Sequence, residues 1–354
     1  SEQTFITGTN PNNYIWYSGK LWRAVSIDPS DNSVKLVTQW NISAIPYNAS
    51  GNTAFEGSYM QQWLNDTTVD GFLGNLRDYE KFIKTDSVWN ATLTTETTKP
   101  AKTTMVTSAV GLLNIYEYIT TCKNTTNEVV YLNNGLPWYT LTPANSTGVW
   151  YVDEYGYDSD SISSDLSRAG WYGIRPVINL KPDVEIISGT GTESDPYRLK
   201  GDDGTPESGT KLATRYSGEY IRFGTGENNL YQIVSHEIEG TTKIVSTAPL
   251  KEDGEYKILE FGKRPIYSIN SSIGSFLNGE YLTSEIYLTS SQKNMIEDNI
   301  TWYLGEVDMY QNYKLAKYTS ASSTKLTSNT TTAKIGLLRL GELMPTQFLH
   351  IMMK

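Results

Sequence analysis

The sequence predicts an α+β fold used twice in tandem, built mostly of short antiparallel strands with a few short helices. Three observations predict it. Four apolar blocks recur in the same order in the two halves of the chain. Segments between turn residues are short and rich in β-branched and aromatic residues, whereas helical spacing lasts only one or two turns. Finally, 354 residues make about two domains, and 25 Tyr, 9 Trp and 8 Phe supply the apolar surface for two cores.

The recurring blocks fix the elements in order. Leu21-Trp22-Arg23-Ala24-Val25-Ser26 returns as Leu230-Tyr231-Gln232-Ile233-Val234-Ser235, and Val34–Thr38 returns as Thr242–Ser246. With Tyr14-Ile15-Trp16 these read as a three-strand meander, broken by Gly, Asp-Pro and Asp-Asn. Residues 56–64 have helical spacing, with Tyr59, Met60, Trp63 and Leu64 on one face and Ser58 near the start. Trp63-Leu64-Asn65 returns as Phe276-Leu277-Asn278, Phe82-Ile83 as Met295-Ile296, and Trp89 as Trp302. The stretch 78–84 predicts a second short helix, and Thr289 to Gln292 predicts a capping box. Val110-Gly111-Leu112-Leu113 and Ile335-Gly336-Leu337-Leu338 read as buried strands, the first followed by a helical turn at 115–119.

Beyond this point the halves part. The first continues through Leu136 to Pro143, an alternating strand at 149–152, an acidic loop at 153–165 and a closing segment, Gly173-Ile174-Arg175-Pro176-Val177-Ile178-Asn179-Leu180. Gly, Pro and Asp are then dense over 188–211, as in a linker. The expected division is a first domain at 1–187, a linker at 188–211 and a second, incomplete copy at 212–354. No counterpart of residues 119–187 follows the second copy. An incomplete sheet exposes core and an unpaired edge. Three remedies stay open: further chain, completion by Met344, Phe348, Leu349, Ile351 and Met352, or a strand lent by a neighbouring subunit.

Composition excludes several function classes. With 29 basic against 39 acidic residues the formal charge is −10, which leaves no basic footprint for nucleic acid. Two His and one Cys exclude a Cys/His zinc site or a disulfide framework within the chain. No apolar run approaches a membrane span, so no membrane insertion is expected. Sparse Lys with abundant Ser, Thr, Asn, Gly and Tyr points to an extracellular, cell-surface protein, and avoidance of cysteine agrees with that. No leader is recognisable, so a secreted chain would begin at Ser1 after processing. The Asn-x-Ser/Thr triplets at Asn41, Asn48, Asn65, Asn90, Asn124, Asn145, Asn270, Asn299 and Asn329 read as a consequence of composition.

Trp63-Leu64-Asn65, Leu136 to Pro143, Val149-Trp150-Tyr151-Val152 and the closing segment Gly173 to Leu180 together resemble an uncharacterised domain family of secreted and surface proteins, mainly of Firmicutes. That resemblance implies a C-type lectin-like fold, related also to formylglycine-generating enzymes, present here as one full and one partial copy. It implies location and fold and transfers no catalytic residue.

No catalytic residue emerges from the motifs. His236 has Ile27 as its first-half counterpart, and neither it nor His350 accompanies a Gly-x-Ser-x-Gly elbow. Cys122 reads as a small buried hydrophobe. Asp153, Asp158 and Asp160, with Glu154 and Asp165 nearby, are hard oxygen donors of the kind Ca²⁺ takes, although no EF-hand loop frames them. No other cofactor is implied. Trp138, Tyr139, Tyr155 and Tyr157 are the candidate ligand-binding residues, glycans being the ligand class that stacks on such rings, while Trp150 and Trp171 are expected in the core. Phe348, Leu349, Ile351 and Met352 are the candidate assembly residues. The function expected is a non-enzymatic adhesion module or a self-assembling subunit of a surface filament or layer. The alternative is a secreted carbohydrate-active enzyme or carbohydrate-binding protein using residues 138–172.

Overall fold

A computed structural model describes residues 3–43, 47–48, 52–68, 71–96, 98–122, 130–156, 162–166, 172–202, 208–236, 241–304 and 330–338. The fold is α+β, with short strands gathered into small sheets and few helices.

The predicted meander forms as β2 (Tyr14–Tyr17), β3 (Lys20–Ile27) and β4 (Val34–Thr38), and β1 (Thr4–Phe5) pairs with the end of β3. Ser18 (φ 52°) and Gly19 (φ 72°) make the tight β2–β3 turn, a pair of left-handed residues that matches strand twist. The helix α1 (Tyr59–Asn65) starts where Ser58 accepts a hydrogen bond from the Gln61 amide, and it buries Met60, Trp63 and Leu64. Next come α2 (Tyr79–Phe82), the hairpin β5 (Val88–Asn90) with β6 (Met105–Thr107), and β7 (Val110–Gly111). A reciprocal Asn114–Glu117 capping box opens α3 (Ile115–Thr121). β8 (Trp138–Pro143), β9 (Gly148–Val152) and β10 (Ile162–Leu166) form a separate antiparallel sheet.

The closing segment becomes β11 (Val177–Leu180), which lies between β4 and β7 and is antiparallel to both. It completes the core: Val177, Ile178 and Leu180 are buried, and the buried Arg175 donates through Nε to Thr38 O at 2.8 Å. β12 (Ile186–Ser188) and β13 (Tyr197–Leu199) extend the same sheet, β13 running parallel to β2. The stretch 188–211, read as a linker, therefore belongs to the first sheet as far as Leu199. Its Gly and Asp residues serve a tight turn: Gly189 and Gly191 have positive φ, and the amides of Thr190 and Gly191 both donate to Asp195 O at 3.0 Å.

The second unit repeats the meander as β14 (Tyr220–Arg222), β15 (Leu230–Ser235) and β16 (Lys243–Ser246). β17 (Lys251–Glu252) and β18 (Glu255–Tyr256) form a hairpin. The helices α4 (Ser272–Asn278), α5 (Glu280–Thr283) and α6 (Ser290–Lys293) follow, then β19 (Ile300–Tyr303) paired with β20 (Thr330–Ala333). Thr289 and Gln292 form the predicted capping box.

Correspondence between the units extends to single atoms. Both meanders carry a bulge at the same register, between Ala24 and Ser26 and between Ile233 and Ser235. Asn65 ends α1 and clasps Val110, donating to its carbonyl at 3.0 Å and accepting from its amide at 2.9 Å. Asn278 ends α4 and clasps Ile335 in the same way, at 3.0 and 3.1 Å. Trp89 and Trp302 each lie flat over a glycine, Gly111 and Gly336, where a Cβ would overlap the indole. Their indole nitrogens donate to Ser108 O at 2.9 Å and Ala333 O at 3.0 Å. One pairing differs in environment: Phe82 is buried, whereas Met295 is 67% exposed.

Candidate functional site

Opposed charges gather where the two units meet. The β2–β3 turn, Tyr17-Ser18-Gly19-Lys20, faces Tyr216-Ser217-Gly218-Glu219 of the second unit. Gly19 and Gly218 permit this approach: both have positive φ, and a Cβ on Gly19 would come within 2.9 Å of the Glu219 amide. Arg77 occupies the centre. Its Nη1 donates to Asp202 Oδ1 at 2.8 Å, and its guanidinium also pairs with Glu219. Glu219 binds Arg215 Nε at 2.7 Å, and Asp202 accepts from the Ser18 amide at 3.0 Å. The Tyr17 hydroxyl donates to Arg77 O at 2.7 Å.

Lys20 is sealed beneath this network and donates to Ser217 O at 2.7 Å. Burial pushes its ammonium down to about 7; the Arg77 cation acts in the same direction and Asp202 opposes both. Two carboxylates thus meet the guanidinium groups of Arg77 and Arg215, with the Lys20 amine beside them. Sealed from solvent, its amine offers no approach to a substrate. The arrangement is a clamp that fixes one unit against the other. Beside it runs a groove of about 840 Å³ lined by Trp16, Arg198, Leu212 and Tyr220, with the Arg198 guanidinium 5.2 Å from the Trp16 ring.

The expected ligand-binding aromatics separate. Trp138 and Tyr139 are buried, which corrects their assignment to a binding surface. The reason is that β8 is covered on both faces, so alternation places neither side in solvent. Trp138 meets the edge of Tyr118 at 5.6 Å and the Arg175 guanidinium at 4.9 Å, and Tyr139 meets Tyr172 at 5.3 Å. Tyr155 is 60% exposed, and Tyr157 lies outside the described residues. The aromatic surface instead centres on Tyr151 and Tyr172, both half-buried and stacked at 3.9 Å with 13° between planes. Trp150, expected in the core, is half-buried and donates to Thr94 O at 2.8 Å; Trp171 lies outside the described residues.

Asp153 spends one carboxylate oxygen on a local turn, accepting from the amides of Tyr155 and Gly156 at 2.9 Å each. Asp158 and Asp160 lie outside the described residues, among which no three His, Cys, Asp or Glu side chains gather as metal ligands. His236 sits at the end of β15, its Nε2 2.6 Å from Arg215 O and its Nδ1 3.1 Å from the Thr242 hydroxyl. Cys122 packs at the end of α3 with its thiol 3.3 Å from Tyr118 O. Phe348, Leu349, Ile351, Met352 and His350 lie outside the described residues. Asn41 is buried and donates to Pro137 O at 3.1 Å, so this triplet cannot carry a glycan in the folded protein.

The clamp residues escaped the motif reading, although a signal was present. The tripeptide Tyr-Ser-Gly occurs at 17–19 and again at 216–218, followed by Lys20 in one case and Glu219 in the other. No helix among the described residues is long and apolar enough to cross a membrane. Comparison with protein families, curated proteins and solved structures gives no match to this chain.

Proposed function

We propose that the chain is a non-enzymatic extracellular surface protein, an adhesion module or filament or layer subunit built from tandem C-type lectin-like domains. The clamp is the observation that carries this reading. Buried charges and apposed glycines join the two units into one block, which suits a part that bears load or spaces a binding face. The atom-by-atom correspondence of meander, clasp and indole–glycine contact supports the tandem duplication, and the surface-protein family resemblance supports the location.

Carbohydrate binding keeps one observation of its own, the half-buried, stacked Tyr151–Tyr172 pair. Electron microscopy of the purified protein, run alongside binding to immobilised glycans, tests the two readings together. Ordered assemblies, or glycan binding lost in Tyr151→Ala, are expected. Polysaccharide hydrolysis abolished by Asp153→Asn would replace the proposal with the enzyme reading.

A further inference from the structure

We infer that the second unit contains a strand-accepting slot between β16 and Ile335-Gly336, and that its occupant is the chain's own segment 348–352. In the first unit the equivalent position is taken by β11. There Val177 lies opposite both Val37 and Gly111, and Ile178 lies opposite both Leu36 and Val110. The shared register maps Val37 and Leu36 onto Val245 and Ile244, and Gly111 and Val110 onto Gly336 and Ile335. Among the described residues nothing lies along the outer edge of β16. A mainly apolar cavity of about 530 Å³ opens there, lined by Ile244, Val245, Phe276, Leu277, Trp302 and Ile335. Leu112 is fully buried in the first unit, whereas its counterpart Leu337 is 41% exposed. An edge of this kind binds an extended segment through main-chain hydrogen bonds and takes its side chains into pockets.

Three properties select the occupant. Phe348-Leu349-His350-Ile351 repeats the apolar, apolar, polar, apolar order of Val177-Ile178-Asn179-Leu180. In this register Phe348 faces Val245, Leu349 faces Ile244, and His350 takes the place of Asn179, which sits opposite Lys35 in the first unit. Direction agrees as well: a chain that turns back after Leu338 runs antiparallel to Ile335-Gly336, as β11 runs to β7. Reach is sufficient. Residues 339–347 span roughly 15 Å as a flexible connection, against ~4.8 Å between neighbouring strands. Such a tether holds the segment at an effective concentration on the order of millimolar, ahead of a segment from another molecule.

Hydrogen exchange on the full chain tests this, with the amides of residues 34–38 as the internal reference for a folded first unit. In the unaltered protein, amides 242–246 and 335–337 should exchange slowly, whatever the protein concentration. Leu349→Asp should accelerate them on the order of a hundredfold while 34–38 stay unchanged. A synthetic peptide with the sequence of residues 173–181 should restore protection to that variant. Equal exchange at 242–246 in both proteins would overturn the assignment, and so would protection that fades on dilution, which would place the strand in a second copy. The surface-protein reading is untouched by either result, because it rests on the clamp.

Discussion

Replacing Arg77 by Met should uncouple the two units. The guanidinium is held by Asp202, whose side chain is almost fully buried, and by Glu219, while the Tyr216 ring lies 5.8 Å away. Methionine keeps much of the apolar stem but leaves two buried carboxylates each short of a partner. Breaking a buried ion pair in this way costs about 3–5 kcal/mol. The lower end applies here, because Asp202 keeps the Ser18 amide and Glu219 keeps Arg215. At roughly 2–4 °C per kcal/mol for a domain of this size, the melting temperature should fall by about 6–12 °C. Calorimetry and urea titration of Arg77→Met, Asp202→Asn and the double variant complete the measurement. Coupling between the two sites should be on the order of 1–3 kcal/mol, and the urea curve of Arg77→Met should split into two transitions. A loss below about 1 kcal/mol, or additivity within about 0.5 kcal/mol, would refute the clamp.

Two further outcomes follow from the same geometry. Lys20 has its ammonium pushed down to about 7 in the folded protein against an ordinary 10.5. The unfolded chain therefore binds the extra proton between these values, and stability should rise with pH from about 7 to 10.5. Lys20→Met should flatten that rise in urea midpoints taken across the window; an unchanged slope would assign it to another group. Asn65→Ala removes the side-chain acceptor of the buried Val110 amide, while the Val110 carbonyl keeps the Ser108 hydroxyl at 3.0 Å, at a cost of about 1–3 kcal/mol. Asn278→Ala acts on the half-exposed Ile335 and should cost less, measured in parallel thermal melts.

The meander, the start of α1 near Ser58 and the Thr289 capping box were legible because each depends on residues close in sequence. What failed to read depends on cover. Trp138 and Tyr139 were expected at a binding surface, but β8 is buried along its whole length, against α3 among its neighbours, so both went inside. Gly189, Gly191 and Asp195 looked like a linker because turn chemistry and linker chemistry use the same residues; only the β12–β13 pairing distinguishes them. The clamp was harder still. Arg77, Asp202 and Glu219 are far apart in the chain, and each alone is an ordinary charge. The one local trace was a three-residue repeat with reversed charge after it.

The contacts common to both units are local ones that place each strand and helix against its neighbour. Meander, asparagine clasp and indole–glycine contact all form in the second unit as in the first. These contacts are directional: each binds a named donor to a named acceptor or seats a ring on a glycine. Core burial, by contrast, drops in the second unit, where β16 is half-buried along its length while β4 is buried from Lys35 onward. Direction and cover are thus separable in this fold. Polar clasps set where strands and helices lie, and β11 adds the apolar closure that seals them.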